Sequence, residues 1–179
     1  MQTTAVLLFA AALLLIGSAP AAAQLQLSSP AFRDGADMPQ VYARFAAGGR
    51  NVSIPLHWTG TPQGVKSFAL SIVDLHPVAR KWVHWLVINI PPDVTSLPEG
   101  ASGKSMPRGA VEIKNSFGDV GYGGPQPPKG TGAHQYLVTV YALRDAGLDL
   151  KADATLADFQ SAIRAKVLGE ASITGLFGK

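Results

Sequence analysis

The sequence predicts a mainly β protein, a sandwich or a barrel, and two observations support this prediction. The 19 glycines and 13 prolines are spread along the 179 residues, which disfavours long helices before residue 150. Short apolar runs alternate with these turn-forming residues, which is the pattern of short strands in an all-β domain. The turn signals and the runs together therefore favour two or more packed layers of sheet.

Three apolar runs predict the principal strands, at residues 67–74, 82–90 and 134–143. The second run is apolar on both faces, which is typical of a central strand that is covered on each side. Weaker patterns predict further strands at residues 24–28, 52–58 and 111–115.

Alternation along these strands predicts which side chains share a face. Asp74 joins the apolar face of the first strand, and His134 and Tyr136 share a face of the third. On the second strand, alternation places His84 together with Trp82, Leu86, Ile88 and Ile90.

One segment near the C-terminus predicts a helix. Asp153 or Thr155 can cap it, and Thr155 followed by Asp158 is a variant of the capping box. A stripe at helical spacing follows, and Gly169 is suited to end the helix; the stripe consists of Leu156, Phe159, Ile163 and Val167. The tail 171–179 shows no clear pattern.

The N-terminus predicts an export signal. Residues 5–16 are all apolar, and Ala21–Ala23 form an A-x-A-like cleavage site before Gln24. Residues 1–23 are therefore expected to be a cleaved signal peptide and residues 24–179 a single domain in a periplasmic or secreted protein. Because no Lys or Arg precedes the apolar run, an uncleaved anchor remains an alternative.

Charge and cysteine content narrow the classes of function. The formal charge is +3 without a cluster of Lys and Arg, so a nucleic-acid partner is not expected. No cysteine is present, so the fold must be stabilised without disulfides, which fits a bacterial periplasm at least as well as a eukaryotic extracellular space.

The segment 121–136, GYGGPQPPKGTGAHQY, is the most unusual part of the chain. Its five glycines and three prolines suit neither a helix nor a plain strand, so it predicts a rigid loop that delivers His134 and Tyr136 to a pocket. Asp74 and His84 also lie at or near strand ends. If these ends converge, the four side chains and the backbone N–H groups of the loop can bind an anion.

Each of these residues also has an ordinary structural interpretation. A single histidine on an apolar strand face is more often a hydrogen-bonded core residue than a ligand contact. Asp74 equally suits a turn, since Pro77 follows closely, and Tyr136 suits a core position.

Four segments, taken in order, resemble the phosphatidylethanolamine-binding protein family in its bacterial Raf-kinase-inhibitor-like branch. The likeness runs from about Phe32 to Leu143. It is carried by NVSIPLHW at 51–58, SFALSIVD at 67–74 with Pro77, WVHW at 82–85, and the 121–136 loop.

The resemblance implies a β-sandwich with short peripheral helices and one C-terminal helix. It implies a small pocket for a phosphorylated headgroup or a similar anion, with no metal or other cofactor. By motif position the pocket residues are Asp74, His84, His134 and Tyr136, with Pro77 and Gly124 shaping the rim.

Two positions depart from the family pattern. The family usually reads Asp-Pro-Asp where this chain has Asp74-Leu75-His76, so a histidine replaces the second carboxylate. The family usually has Arg where this chain has Gln135, whose alternation points it away from the pocket.

Three functions are therefore weighed. The first is a non-catalytic binding protein for a small anionic or phosphorylated ligand, since no hydroxyl or thiol nucleophile lies beside a histidine in a recognisable motif. The second is an inhibitor or interaction module that acts on a peptidase or another protein, and an exposed loop face also suits a homodimer. The third is a metal-dependent enzyme that uses Asp74, His76, His84 and His134.

Overall fold

The structure is a computed structural model that describes residues 24–178. The predicted signal peptide at 1–23 lies outside the described residues. In this described part of the chain, eight strands form two antiparallel sheets, a three-stranded sheet of order β1-β2-β5 and a five-stranded sheet of order β6-β4-β3-β7-β8. The strands are β1 (Gln26–Ser28), β2 (Leu56–Thr59), β3 (Ser67–Asp74), β4 (Val83–Ile90), β5 (Ser96–Leu97), β6 (Val111–Ile113), β7 (His134–Leu143) and β8 (Val167–Phe177).

The two sheets pack face to face and enclose the main core, which confirms the predicted β-sandwich. Trp58 of the small sheet meets Phe68 of the large sheet edge to face, with ring centroids 5.5 Å apart. Leu56 and Leu97 from one side and Leu70 from the other join the same buried cluster. Burial of these apolar side chains is the principal force that holds the layers together.

A helix, α1 (Leu156–Ile163), covers the outer face of the large sheet. Phe159 and Ile163 pack against Leu86 and Ile88 in a second buried cluster. Three short 3-10 turns complete the fold at Gln40–Tyr42, Phe45–Ala47 and Pro77–Ala79. No helix within residues 24–178 is long and apolar enough to cross a membrane.

The capping box predicted for α1 is present, but the helix ends earlier than predicted. Thr155 Oγ1 accepts from the Asp158 N–H, and the Asp158 carboxylate accepts from the Thr155 N–H at 2.9 Å. The prediction that Gly169 ends the helix is wrong. Gly169 lies in β8 opposite Ala142, and Val167 lies opposite Leu143. The long edge of β7 offers backbone partners to this segment, which fixes it as a strand.

The predicted strands are present with shifted ends. Residues 67–74 and 134–143 have the predicted limits, whereas the others begin or end one to four residues away. Trp82 precedes β4 and is 39% exposed, so it does not share a buried face with the strand.

Candidate functional site

The pairing of β3 with β7 brings Asp74 and His134 together at one end of the large sheet. Asp74 lies opposite Tyr136 in the ladder, so His134, two residues earlier, extends beyond the end of β3. Asp74 Oδ2 lies 2.6 Å from His134 Nδ1, and Asp74 Oδ1 accepts from the His76 N–H at 2.8 Å. Both oxygens of this buried carboxylate are therefore already bonded.

His134 is fully buried and is also held from its other side. Its Nε2 lies 2.8 Å from Thr131 Oγ1, and that hydroxyl donates to the Pro128 carbonyl at 2.8 Å. Contacts on opposite sides of the ring, to Asp74 and to Thr131, therefore fix its orientation. The chain from Asp74 to Pro128 thus ties the Gly/Pro loop to the sheet.

Thr131 is a residue that the sequence reasoning missed. No familiar motif marks a threonine three positions before the histidine. The sequence feature that could have indicated Thr131 is its position between Gly130 and Gly132. Both glycines have positive φ in the structure (80° and 81°). Such a loop bends sharply enough to turn a hydroxyl back onto its own chain.

His84 reaches the pocket because β4 carries an extra residue at that point. Trp85 pairs with Ile72 and Val83 pairs with Val73, so His84 stands between two successive pairs without a partner of its own. An extra residue of this kind redirects a side chain and is common near functional sites.

The extra residue at His84 breaks the alternation that was predicted to place His84 on one face with Trp82, Leu86, Ile88 and Ile90. Leu86 and Ile88 point to the helix side of the sheet, whereas Ile90 points into the sandwich. A second register shift near Asn89, whose φ is +60°, separates Ile88 from Ile90. Strict alternation was therefore wrong for this strand at both ends.

The ring of His84 is fixed and buried. Its Nδ1–H donates to the Gly123 carbonyl at 2.5 Å, and its ring stands nearly perpendicular to the Tyr136 ring at a centroid distance of 4.9 Å. Burial lowers the pKa of His84 to about 4, an effect that the Gly123 carbonyl and the Asp74 charge only partly offset. The imidazole is therefore neutral near pH 7 in the ligand-free protein.

Tyr136 supplies the unusual feature of the site. The residue is 1% exposed, and its hydroxyl has no hydrogen-bond partner among residues 24–178. Burial, together with the nearby Asp74 carboxylate, raises the pKa of the Tyr136 phenol, which keeps it protonated. An unpaired buried hydroxyl costs roughly 1–3 kcal/mol, so its retention calls for an explanation.

Asp74, His84, His134 and Tyr136 line one cavity of about 210 Å³. This volume is below the range of about 300–1,000 Å³ typical of pockets for drug-sized ligands, so it suits a small group. The other walls are mostly apolar and include Trp82, Phe117, Val78, Pro127 and Pro128.

The two predicted rim residues lie behind the walls. Pro77 opens the 3-10 turn whose Val78 and Ala79 line the cavity. Gly124 packs against the backbone of Tyr42, where a Cβ would come within 2.0 Å of the carbonyl oxygen. Gly124 follows Gly123, so it supports the residue that binds His84.

The two positions that depart from the family pattern lie in different surroundings. His76 stacks on His134, with ring centroids 3.9 Å apart. The Gln135 side chain is exposed, and its backbone carbonyl accepts from the Leu75 N–H at 2.8 Å.

A second cleft of about 500 Å³ lies on the other side of Pro127 and Pro128. Asp37 and Lys129 are its charged residues, and it contains no histidine or tyrosine. Within residues 24–178, no three His, Cys, Asp or Glu side chains are arranged to hold a metal ion.

A two-sheet β-sandwich, with a small pocket that holds an aspartate, two histidines and a tyrosine at one end of its large sheet, defines the class of this protein. The chain belongs to the phosphatidylethanolamine-binding protein family, because the sequence model described as "Phosphatidylethanolamine-binding protein" matches residues 28–178.

Similar proteins agree with this assignment. The UPF0098 protein of Methanothermobacter thermautotrophicus is 40% identical over 154 residues, which is 86% of this chain and 98% of that protein. LppC of Mycobacterium tuberculosis, named a candidate lipoprotein, is 40% identical over 89% of this chain and 75% of its own length. The crystal structure of Escherichia coli YbcL, described as a member of the mammalian PEBP family, has a TM-score of 0.82 and 34% identity, and covers 88% of this chain and 99% of that chain.

Proposed function

We propose that this protein binds a small phosphorylated or otherwise anionic ligand in the 210 Å³ cavity and catalyses no reaction on it. The observation that carries the proposal is the buried Tyr136 hydroxyl, which has no hydrogen-bond partner among residues 24–178 and belongs to a side chain that lines the cavity. A phosphoryl or carboxylate oxygen of a ligand would accept its hydrogen bond and remove the desolvation cost.

The charges at the site support an anion over a cation. Among residues 24–178, Asp74 is the only carboxylate that lines the cavity, and both of its oxygens already accept hydrogen bonds. A ligand ammonium group would therefore have to displace an existing partner. An anion requires no such displacement.

Two tyrosine variants test the proposal. Tyr136→Phe should weaken binding of inorganic phosphate at least about tenfold, since a hydrogen bond to a charged group contributes roughly 1.5–3 kcal/mol. It should leave the free energy of unfolding unchanged or slightly higher, because the hydroxyl has no partner to lose. Tyr122→Phe is the matched control. Its buried hydroxyl donates to the Tyr42 carbonyl at 3.0 Å, so it should lose about 1 kcal/mol of stability and keep its affinity.

Calorimetric titration at pH 6 and urea denaturation provide the two readouts. Wild-type affinity in Tyr136→Phe, or no anion binding by folded wild-type protein, would refute the proposal. A 31P spectrum of phosphoethanolamine that stays unchanged after long incubation with the protein would support binding without turnover. A new 31P resonance would refute the non-catalytic part.

A protein partner is the second candidate. Val78 and Trp82 line the cavity and are 54% and 39% exposed, so the mouth of the pocket carries apolar surface. Such surface suits contact with a peptidase, another protein or a second copy of this chain. If a pull-down with wild-type protein recovers one peptidase and a pull-down with Trp82→Ser does not, a protein partner is favoured.

We also propose that the protein is exported. The support is the apolar run at 5–16 with its A-x-A-like site, and the relative LppC, which is named a candidate lipoprotein. The intact mass of protein recovered from the periplasm or the medium should correspond to a chain that starts at Gln24. A mass that corresponds to a start at Met1 would refute cleavage.

A further inference from the structure

The cavity offers a hydrogen-bond acceptor where an anion site is expected to offer a donor. His84 Nδ1 must carry the proton, because it donates to the Gly123 carbonyl at 2.5 Å. In the neutral ring the opposite nitrogen, Nε2, then holds a lone pair. Nε2 has no hydrogen bond to any residue of 24–178, and the ring lines the cavity.

The groups around His84 leave it neutral. Asp74 from β3 attracts a proton to the ring, but its charge is shared with His134. Tyr136 from β7 is a neutral phenol, and Arg44 adds a repelling positive charge. Arg44 itself is engaged with Asp119 at 3.0 Å and lies over the Phe117 ring at 4.0 Å. Burial outweighs the attraction and lowers the pKa of His84 to about 4.

The cavity also has little capacity to neutralise a doubly charged ligand. Within the described residues its lining contains no Lys or Arg. A dianion would place a lone pair against the lone pair of His84 Nε2, at a cost that a buried site does not tolerate. A ligand that keeps one acidic O–H and one negative charge meets both polar groups correctly.

We propose that the pocket selects the singly protonated form of a phosphomonoester. The ligand's P–O–H donates to His84 Nε2, and an anionic oxygen accepts from the Tyr136 hydroxyl. Both side chains line the same cavity and their ring centroids lie 4.9 Å apart, so one small ligand in this cavity lies beside both rings. This inference rests on the proposed function, and it names the class and the protonation state of the ligand.

Methyl phosphate and methyl sulfate provide the decisive comparison. Both are tetrahedral monoanions near pH 5, but only the phosphate keeps a proton, which it loses with a second pKa of about 6. Calorimetric titration from pH 5 to pH 8 should show constant affinity for methyl phosphate below about pH 6, and a fall of about tenfold per pH unit well above it. Methyl sulfate, and the diester dimethyl phosphate, should bind at least about tenfold more weakly at pH 5.5, since a site built for a hydroxyl rejects ligands that lack it.

The protonation state of the His84 ring, measured by NMR, provides a second test. In the methyl phosphate complex at pH 5.5, 15N resonances of His84 should report a neutral imidazole with the proton on Nδ1. In His84→Asn the shorter amide can still donate to Gly123, but the Nε2 acceptor is gone, so the preference for methyl phosphate over methyl sulfate should fall to within about threefold. The wild-type pH profile does not depend on whether this variant folds.

Two sources share this chemistry, a free phosphate and the headgroup of a monoester lipid. Inorganic phosphate and monomeric dihexanoyl phosphatidic acid should each lose affinity as the pH rises through the second ionisation of its own phosphate group, and the tighter of the two identifies the source. Methyl sulfate within threefold of methyl phosphate, or an imidazolium ring for His84 in the complex, would overturn the inference and leave the proposed function intact. No binding of any anion at any pH by folded protein would overturn both.

Discussion

The imidazole ring of His76 lies parallel to the ring of His134, with centroids 3.9 Å apart and planes 9° apart. His76 Nδ1 lies 3.4 Å from the Val78 N–H, which orients the ring. The chain thus covers His134 with an imidazole ring at the position where the family usually has a second carboxylate. A pocket with one fewer negative charge is better suited to an anion than to a zwitterion.

His76→Asp tests this relationship. The added carboxylate should repel phosphate and attract an ammonium group, which changes the ratio of affinities for phosphoethanolamine and inorganic phosphate about fivefold in favour of phosphoethanolamine. This corresponds to about 1 kcal/mol for a partly screened charge. Competitive titration measures the ratio directly. His76→Asn loses the stacked ring without adding charge and should leave the ratio unchanged; an equal shift in both variants would assign the effect to lost stacking.

Much of the fold could be predicted from the sequence because its strands and turns are locally encoded. The apolar runs at β3 and β7 have the alternation that predicts strands, and Thr155 with Asp158 forms the capping box that predicts the start of α1. Strand β8 could not be predicted, because its glycines resemble a helix end. Gly175 is needed instead for close packing, since a Cβ there would lie 2.4 Å from Met38 Cγ.

The site was less accessible to sequence reasoning, because its geometry depends on contacts between distant segments. The pairing of Asp74 with His134 follows from strand register, which alternation on two separate strands only suggests. The position of His84 depends on an extra residue in β4 that no local pattern marks. The link through Thr131 forms only once the loop has closed on the sheet.

Gly124→Ala should destabilise the protein by about 3 kcal/mol or more. Its Cβ would meet the Tyr42 carbonyl oxygen at 2.0 Å, and a backbone clash has no rotamer that relieves it. Urea denaturation measures the loss. Gly147→Ala is the matched control, because nothing lies within 4 Å of its Cβ, and it should stay within about 0.5 kcal/mol of wild type. Similar stabilities for the two variants would contradict the packing assigned to Gly124.

Thr155→Ala should cost about 1 kcal/mol, because it removes the N-cap of the helix that covers the outer sheet face. Its hydrogen bonds lower the pKa of Asp158, so their contribution is present above the ordinary Asp value and is lost as the pH falls through the lowered one. The difference in unfolding free energy between wild type and variant should therefore shrink in acid. Ser161→Ala, at an exposed position inside the same helix, should be neutral or slightly stabilising; a loss equal to that of Thr155→Ala would argue against the cap.

The buried neutral ring of His84 should make the protein less stable in acid. In the unfolded chain this histidine takes up a proton near pH 6.5, whereas in the folded protein its pKa is about 4. Between these values the unfolded state binds more protons, so the free energy of unfolding falls as the pH falls. The full contribution of this one group is about 3 kcal/mol, present above pH 6.5 and lost progressively towards pH 4.

Urea denaturation of wild type and His84→Asn in phosphate-free buffer, from pH 7.5 to pH 4.5, isolates the contribution of His84, since the variant should lack this part of the acid sensitivity. His57→Asn, which changes an exposed histidine of β2, should keep the wild-type slope. Parallel pH profiles for wild type and His84→Asn would mean that the ring is already charged in the folded protein, and the neutral acceptor assigned to His84 would be wrong.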